Sequence, residues 1–134
     1  VQTLVPLGNF ESVSADIRDW INRINADGGT ALFDGTNQVL SVMNKGQDTD
    51  RIRAMVVLSD GADTASSSST LNDVIQSIEA SRGELNPILV IPVAYGSNAD
   101  IGTLGSIARA SSTTVQSGDP QNILNVLQII SSYF

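Results

Sequence analysis

The chain has no cysteine and no histidine among its 134 residues. Without thiols, neither a disulfide frame nor a thiolate metal centre can form, and cysteine usage gives no reading of the redox compartment. Without imidazole, the commonest general base and the commonest transition-metal ligand are both absent, so any metal has to be held by oxygen. Basic side chains are scarce too: seven Lys and Arg stand against fourteen Asp and Glu, a formal charge of −7. That field repels phosphate backbones and attracts cations, and with no Lys/Arg cluster it argues against a nucleic-acid partner. No apolar run approaches the ~20 residues that a membrane span needs. The sequence starts at Val1 with no leader or cleavage pattern, and so reads as an excised or processed piece.

What is present fits a globular domain. Hydrophobic residues make up 41% and charged residues 16%, and only the Ser66–Ser69 tract looks like low complexity, most simply a solvated loop. A chain of this length forms one domain and buries roughly two-thirds of the surface its unfolded form exposes.

Along the chain, Leu4, Val5 and Leu7 before a Gly8-Asn9 turn predict a short strand over Val1–Leu7, at an edge because Pro6 cannot donate to a ladder. Ile17, Trp20, Ile21 and Ile24 recur at i, i+3, i+4 and i+7 and predict a helix with Ser14 as N-cap and Gly28 as its stop, Trp20 packing inward. A second helix carries Leu32, Val39, Leu40 and Met43 and runs out at Lys45-Gly46. Arg51–Leu58 is apolar without alternation, the pattern of a central parallel strand covered on both faces. Ser69 or Thr70 caps a helix facing inward through Leu71, Val74, Ile75 and Ile78 and ending near Gly83.

Ile88–Tyr95 reads as another buried strand, followed by a Gly96-Ser97-Asn98 loop and a helix with Ile101, Leu104 and Ile107. Thr113–Gln116 is a weak strand. Asp119 as N-cap and Pro120 as first helical residue open a last helix facing inward through Ile123, Leu124, Leu127 and Ile130. Strands alternating with helices imply βαβ crossovers: an α/β, doubly wound, mainly parallel open sheet with helices on both faces, Rossmann-like in outline.

In such sheets ligands bind beyond the carboxyl ends of the strands. Asp60 follows the strand Met55-Val56-Val57-Leu58 within Ser59-Asp60-Gly61, and Thr30 closes Gly28-Gly29-Thr30 in the loop that opens a helix. A carboxylate and a hydroxyl on neighbouring loops suit a hard divalent cation such as Mg²⁺, which takes oxygen ligands and keeps positions for water or a partner. Gly29, Gly61 and Asp63 form the rim, with Gly96, Ser97 and Asn98 on the flanking loop. Plainer readings stand beside these. Asp60-Gly61 is also ordinary turn chemistry, Thr30 also a helix cap, Asp34 a first-turn acid favoured by the helix dipole, and Asp63 a loop-solvating charge.

Three segments together, Gly28-Gly29-Thr30-Ala31-Leu32-Phe33-Asp34, Met55–Thr64 with its Ser59-Asp60-Gly61-Ala62-Asp63, and Val90-Ile91-Pro92-Val93-Ala94-Tyr95-Gly96, resemble the von Willebrand factor type A family, also seen in integrin inserted domains. The resemblance covers essentially the whole chain. It implies a metal-ion-dependent adhesion site (MIDAS) with ligands from three loops: an Asp-x-Ser-x-Ser motif after the first strand, a Thr, and the Asp of a strand-terminal Asp-Gly. It places the last two at Thr30 and Asp60, holding Mg²⁺, Mn²⁺ or Ca²⁺, with a carboxylate from a protein partner completing the coordination.

No Asp-x-Ser-x-Ser occurs in the chain; Phe10-Glu11-Ser12-Val13-Ser14 keeps the serine spacing with Phe where the acid belongs. By family comparison Val1–Leu7 resembles the third strand. Residues 1–134 then read as the C-terminal portion of a single domain, N-terminally truncated, lacking the first two strands and first helix. That would leave half a metal site, unfilled in this piece alone, and an unpaired strand edge at Leu58. Upstream sequence, a second chain, or a dimer exchanging elements would complete it.

The resemblance thus points to an adhesion-type binding module that captures an acidic group on a protein partner, and favours an extracellular, cell-surface or periplasmic location. Two other classes stay open. A hydrolase or phosphotransferase would use Asp60 as nucleophile or metal ligand, but no P-loop, Gly-x-Ser-x-Gly or Asp-x-Asp after a first strand is present, and few residues could act as base. A metal-independent interaction scaffold would bind partners regardless of chelation.

Overall fold

A computed structural model describes residues 1–25, 27–45, 50–82 and 86–132. Five helices and three strands alternate in the order α1 (Phe10–Arg23), α2 (Leu32–Lys45), β1 (Arg53–Ser59), α3 (Leu71–Arg82), β2 (Ile88–Tyr95), α4 (Ile101–Ala110), β3 (Gln116–Gly118) and α5 (Ile123–Ser131). The strands form one parallel sheet in the order β1-β2-β3. β1 runs beside β2 from Arg53↔Ile88 to Ser59↔Ala94. β3 meets β2 only over Val93–Tyr95, so Pro92 falls where β2 has a neighbour on one side alone, a position that tolerates its missing donor.

Alternation along β2 divides the core between two faces. Ile88 and Val90 turn to the face covered by α2, α3 and α4, where they pack with Met55, Leu40, Val74, Ile78 and Ile107. Ile91 and Val93 turn to the other face, where Val126 and Ile130 of α5 cover them. Helices on both faces of an open parallel sheet are the α/β arrangement that the strand–helix alternation predicts.

Local chemistry sets most boundaries. Thr70 and Asp73 form a reciprocal capping box at α3: the Thr70 N–H donates to Asp73 Oδ2 (2.7 Å) and the Asp73 N–H to Thr70 Oγ1 (3.3 Å). At the end of α4, the Thr113 N–H reaches Ala108 O (2.9 Å) and the Ser112 N–H reaches Arg109 O (3.1 Å), with Ser112 in the left-handed region at φ 59°. This is a Schellman ending with serine where glycine is usual. It also explains why the third strand is not Thr113–Gln116 as expected but Gln116–Gly118: Thr113 is occupied closing the helix, and its hydroxyl bonds Val90 O.

Other expectations are corrected. Val1–Leu7 forms no strand but a bent, irregular segment, tied to α2 by Gln38 Nε2 donating to Thr3 Oγ1 (2.9 Å). Pro6 removes a donor, and the segment lies along the cleft beside β1 without entering its ladder. The first helix begins a turn earlier than Ser14, because Asn9 Oδ1 accepts the Glu11 N–H (3.0 Å), and it stops at Ile24 rather than Gly28. None of its residues is buried; Trp20 is 38% exposed and Ile21 66%, so its apolar face is not core.

β1 is the sheet's edge among the described strands, in line with the unpaired edge expected at Leu58, but it is not central or covered on both faces as its apolar run predicts: Val56 and Leu58 are 44% and 58% exposed. They share a face with Ile91 and Val93 through the register, but α5 stops short of covering them. In α5, Asp119 Oδ1 accepts N–H bonds from Gln121 and Asn122 as an N-cap does, yet these residues form a separate turn and the helix starts at Ile123. Val126 and Ile130 face inward, whereas Leu124 and Leu127 point largely to solvent. The expected stops at Gly46 and Gly83 lie outside the described residues.

Candidate functional site

The carboxyl end of β1 and the N-terminus of α2 are knitted into one unit by the loop 60–70. Gly28 has φ +82°, a left-handed turn that glycine adopts without strain. At Gly29 a Cβ would lie 2.8 Å from Thr64 Oγ1 and 3.0 Å from the Ala65 side chain, so only glycine lets the two loops approach. Thr30 is then clamped by its backbone: its carbonyl accepts from the N–H of Thr64 (2.8 Å) and of Ala65 (2.9 Å), and its own N–H donates to Thr64 Oγ1 (2.9 Å). Gly-Gly-Thr is therefore the seat of the loop that follows Asp60, and Thr30 is held by the main chain instead of by its hydroxyl.

The acids around this seat divide by role. Asp63 Oδ1 accepts from the Phe33 N–H (3.2 Å) and the Ser66 hydroxyl (2.6 Å), closing the open N–H end of α2 from thirty residues away. Burial pushes its carboxyl up, but hydrogen bonds from Ser66, Phe33 and Leu32 outweigh it and hold Asp63 below the ordinary carboxylate value. Asp34 reaches the other way, accepting from the N–H of Ser67 (2.9 Å) and Ser68 (3.1 Å). The Ser67 bond is the main cause of its lowered pKa. The serine tract is thus bound to α2, not merely solvated.

Asp60 stands apart from these bonds and is exposed, while Ser59 beside it is buried, its hydroxyl donating to Gly61 O (3.0 Å). A Cβ on Gly61 would meet nothing within 4 Å, so this rim position has open space. Thr30 and Ser59 line one open cleft of about 580 Å³, whose remaining walls come from Val1–Val5, the first turns of α2 and the exposed flank of β1. Gly96, Ser97 and Asn98 are exposed at the same end of the sheet. Gly96 takes φ +76°, and its N–H bonds Gly118 O (2.8 Å).

Asp60 and Thr30 offer one carboxylate and one hydroxyl, both hard oxygen donors. Asp63 and Asp34 are committed to backbone N–H groups, and among the described residues no three acids, histidines or cysteines gather in one cluster. Oxygen donors of this kind are those Mg²⁺ accepts, but two of them do not make a cage closed by protein alone. The cross-loop caps of Asp63 and Asp34 escaped sequence reasoning, because each pairs residues about thirty apart; the Ser-rich tract was the only trace.

A sheet of this topology, with its loop cluster at the strand carboxyl ends, places the chain in the α/β class of open parallel-sheet domains. The family profile for the von Willebrand factor type A domain matches residues 1–128, and the chain belongs to that family. Among solved structures, the proximal thread matrix protein 1 (PTMP1) from the mussel byssus superposes with a TM-score of 0.59 at 17% identity, over 87% of this chain and 28% of that one. That likeness is one of fold. The chain spans under a third of that protein. No curated protein matches.

Proposed function

We propose that this domain binds a protein partner at the carboxyl end of its sheet, through a divalent cation held by Asp60 and Thr30, to which the partner adds a carboxylate. The observation that carries the reading is the division of labour among the acids. Asp63 and Asp34 fasten the loops to α2, and Asp60, at the mouth of the same loop, is left exposed. The cation would supply positive charge to an end of the molecule that is otherwise acidic, so that an anionic group on a partner can dock. Thr30, fixed by its backbone, would present its hydroxyl without loss of loop freedom. The reading is one of binding without turnover. The open edge of β1 beside the cleft is where a further strand, from upstream sequence, a partner or an exchanged copy, would add to the sheet and bring further ligands.

Calorimetric titration of Mg²⁺ and Mn²⁺ into this chain and into an upstream-extended form, each with and without Asp60→Ala, tests it. Binding in the extended form that disappears with Asp60→Ala is the expected result. Heat in neither form removes the cation and leaves a metal-independent interaction scaffold.

A further inference from the structure

Three Asp-Gly links occur in the chain, Asp27-Gly28, Asp34-Gly35 and Asp60-Gly61, and the fold treats them differently. Asp34 lies in the first turn of α2, where its carboxylate accepts the N–H groups of Ser67 (2.9 Å) and Ser68 (3.1 Å). The Ser67 bond above all holds it below the ordinary carboxylate value, so it keeps less of the neutral acid form. Asp27 and Asp60 are exposed and non-helical, and their carboxylates hold no hydrogen bond or ion pair among the described residues. At Asp60 the next residue is open as well: Gly61 lies in a bend, and a Cβ there would meet nothing within 4 Å.

An Asp-Gly link reacts with itself when both residues can move. The main-chain nitrogen of the glycine attacks Cγ of the aspartate in its acid form. An N–Cγ bond forms, the bond from Cγ to its hydroxyl breaks, and the hydroxyl leaves as water with the proton of the nitrogen. The product is a cyclic imide, which water opens at either of its carbonyls. Opening at Cγ restores aspartate; opening at the main-chain carbonyl leaves the chain running through Cγ, as isoaspartate. One water is released and one taken up, with no oxidant, reductant or enzyme. Glycine favours the attack because it has no side chain in the way and turns freely about its backbone. A helical backbone and a carboxylate fixed on distant N–H groups both oppose it, and Asp34 has both.

We infer that Asp60-Gly61 is a site of spontaneous isoaspartate formation in the folded protein, whereas Asp34-Gly35 is protected by the fold. Isomerisation at Asp60 inserts one carbon into the main chain between Ser59 and Gly61, the stretch that the Ser59 hydroxyl spans by donating to Gly61 O (3.0 Å), and it moves the carboxylate onto a shorter arm. Ageing of the chain would thereby withdraw Asp60 from the cation site proposed above. The isomerisation itself does not rest on that reading, since it needs no bound cation.

Peptide mapping of the 134-residue chain, aged for weeks at neutral pH either folded or in guanidinium, tests this. Chromatography resolves the isomers, fragmentation places them, and uptake of heavy oxygen from labelled water marks passage through the imide. Unfolded, all three links react alike. Folded, Asp34 slows at least about tenfold, as the breaking of its hydrogen bonds requires, while Asp60 and the exposed reference Asp27 keep rates close to their unfolded ones. Gly61→Ala, which the open space around Gly61 accommodates, loses the isomer at Asp60 with an unchanged circular dichroism spectrum. Asp60→Asn, which forms the same imide by losing ammonia, yields isoaspartate faster. An Asp60 rate suppressed by folding as far as that of Asp34 overturns the inference. So does an Asp60→Asn chain that yields none while folded, because the loop then forbids the attack.

Discussion

Gly29 and Gly35 differ in what a single methyl would meet. At Gly29 a Cβ would enter the space of Thr64 and Ala65, at 2.8 and 3.0 Å, in the loop contact that fixes Thr30. At Gly35, inside α2, it would meet nothing within 4 Å. Gly29→Ala should therefore destabilise the domain by about 1–3 kcal/mol, as forced overpacking does, and loosen the loop carrying Asp60. Gly35→Ala should stabilise it by about 0.5–1 kcal/mol, since alanine removes the entropic penalty of glycine within a helix. Chemical denaturation of the two variants checks both signs, and equal effects would show that the Gly29 approach is not a real constraint. The second glycine of Gly-Gly-Thr was legible in the sequence as part of a motif. Its reason was not, because Thr64 lies 35 residues further along.

The helices and strands were legible wherever one signal dominated. Ile88–Tyr95 emerged with its boundaries unchanged because Pro87 and Gly96 bracket an unbroken apolar run. α3 was readable from Thr70 and its inward residues, of which Val74 and Ile78 are fully buried. β1 has the unpaired edge expected at Leu58 but not the expected cover on both faces, because an apolar run reports a tendency to be covered, not whether a cover is present. α5 failed differently. Ile123-Leu124-Asn125-Val126-Leu127-Gln128-Ile129-Ile130 is apolar on nearly every side, so periodicity does not choose its face. Packing chooses Val126 and Ile130, which are 7% and 4% exposed against 74% for Leu124. Ile130→Ala should cost about 2–4 kcal/mol, the range for deleting a buried aliphatic side chain, and Leu124→Ala should stay within about 0.5 kcal/mol. If urea titration shows the reverse order, Leu124 and not Ile130 carries the packing of α5 on the sheet. Of the site, Asp60 and Thr30 were readable as loop residues at strand and helix boundaries; the capping work of Asp63 and Asp34 needed the fold.

Across the whole molecule, the caps lie mostly on one side of the sheet and share one chemistry. Asp63 closes α2, Asp73 with Thr70 opens α3, Asp100 accepts the Thr103 N–H (3.0 Å) at α4, and Asp34 binds the serine tract to α2. All four are held below their ordinary value of 3.8: Asp34, Asp73 and Asp100 chiefly by the hydrogen bonds they accept, and Asp63 by such bonds working against burial. A carboxyl with a lowered folded pKa binds protons more readily when unfolded. Its contribution is therefore complete above 3.8 and is lost as pH falls through the folded value. α2, α3 and α4 lose their anchors in the same window, while neutralising the acids leaves seven uncompensated basic groups. Stability should be flat from pH 7 to about 5 and fall steeply below about 4, with the helical layer over Val90 and Ile88 going first. Asp63→Asn should lower stability at pH 7 and flatten the acid limb, since one of the titrating caps is gone. Guanidinium midpoints at pH 7, 5, 4 and 3 for both chains decide it: parallel pH profiles would mean that the Asp63 cap does not couple protonation to folding, and a midpoint unmoved between pH 5 and 3 would mean that none of the four does.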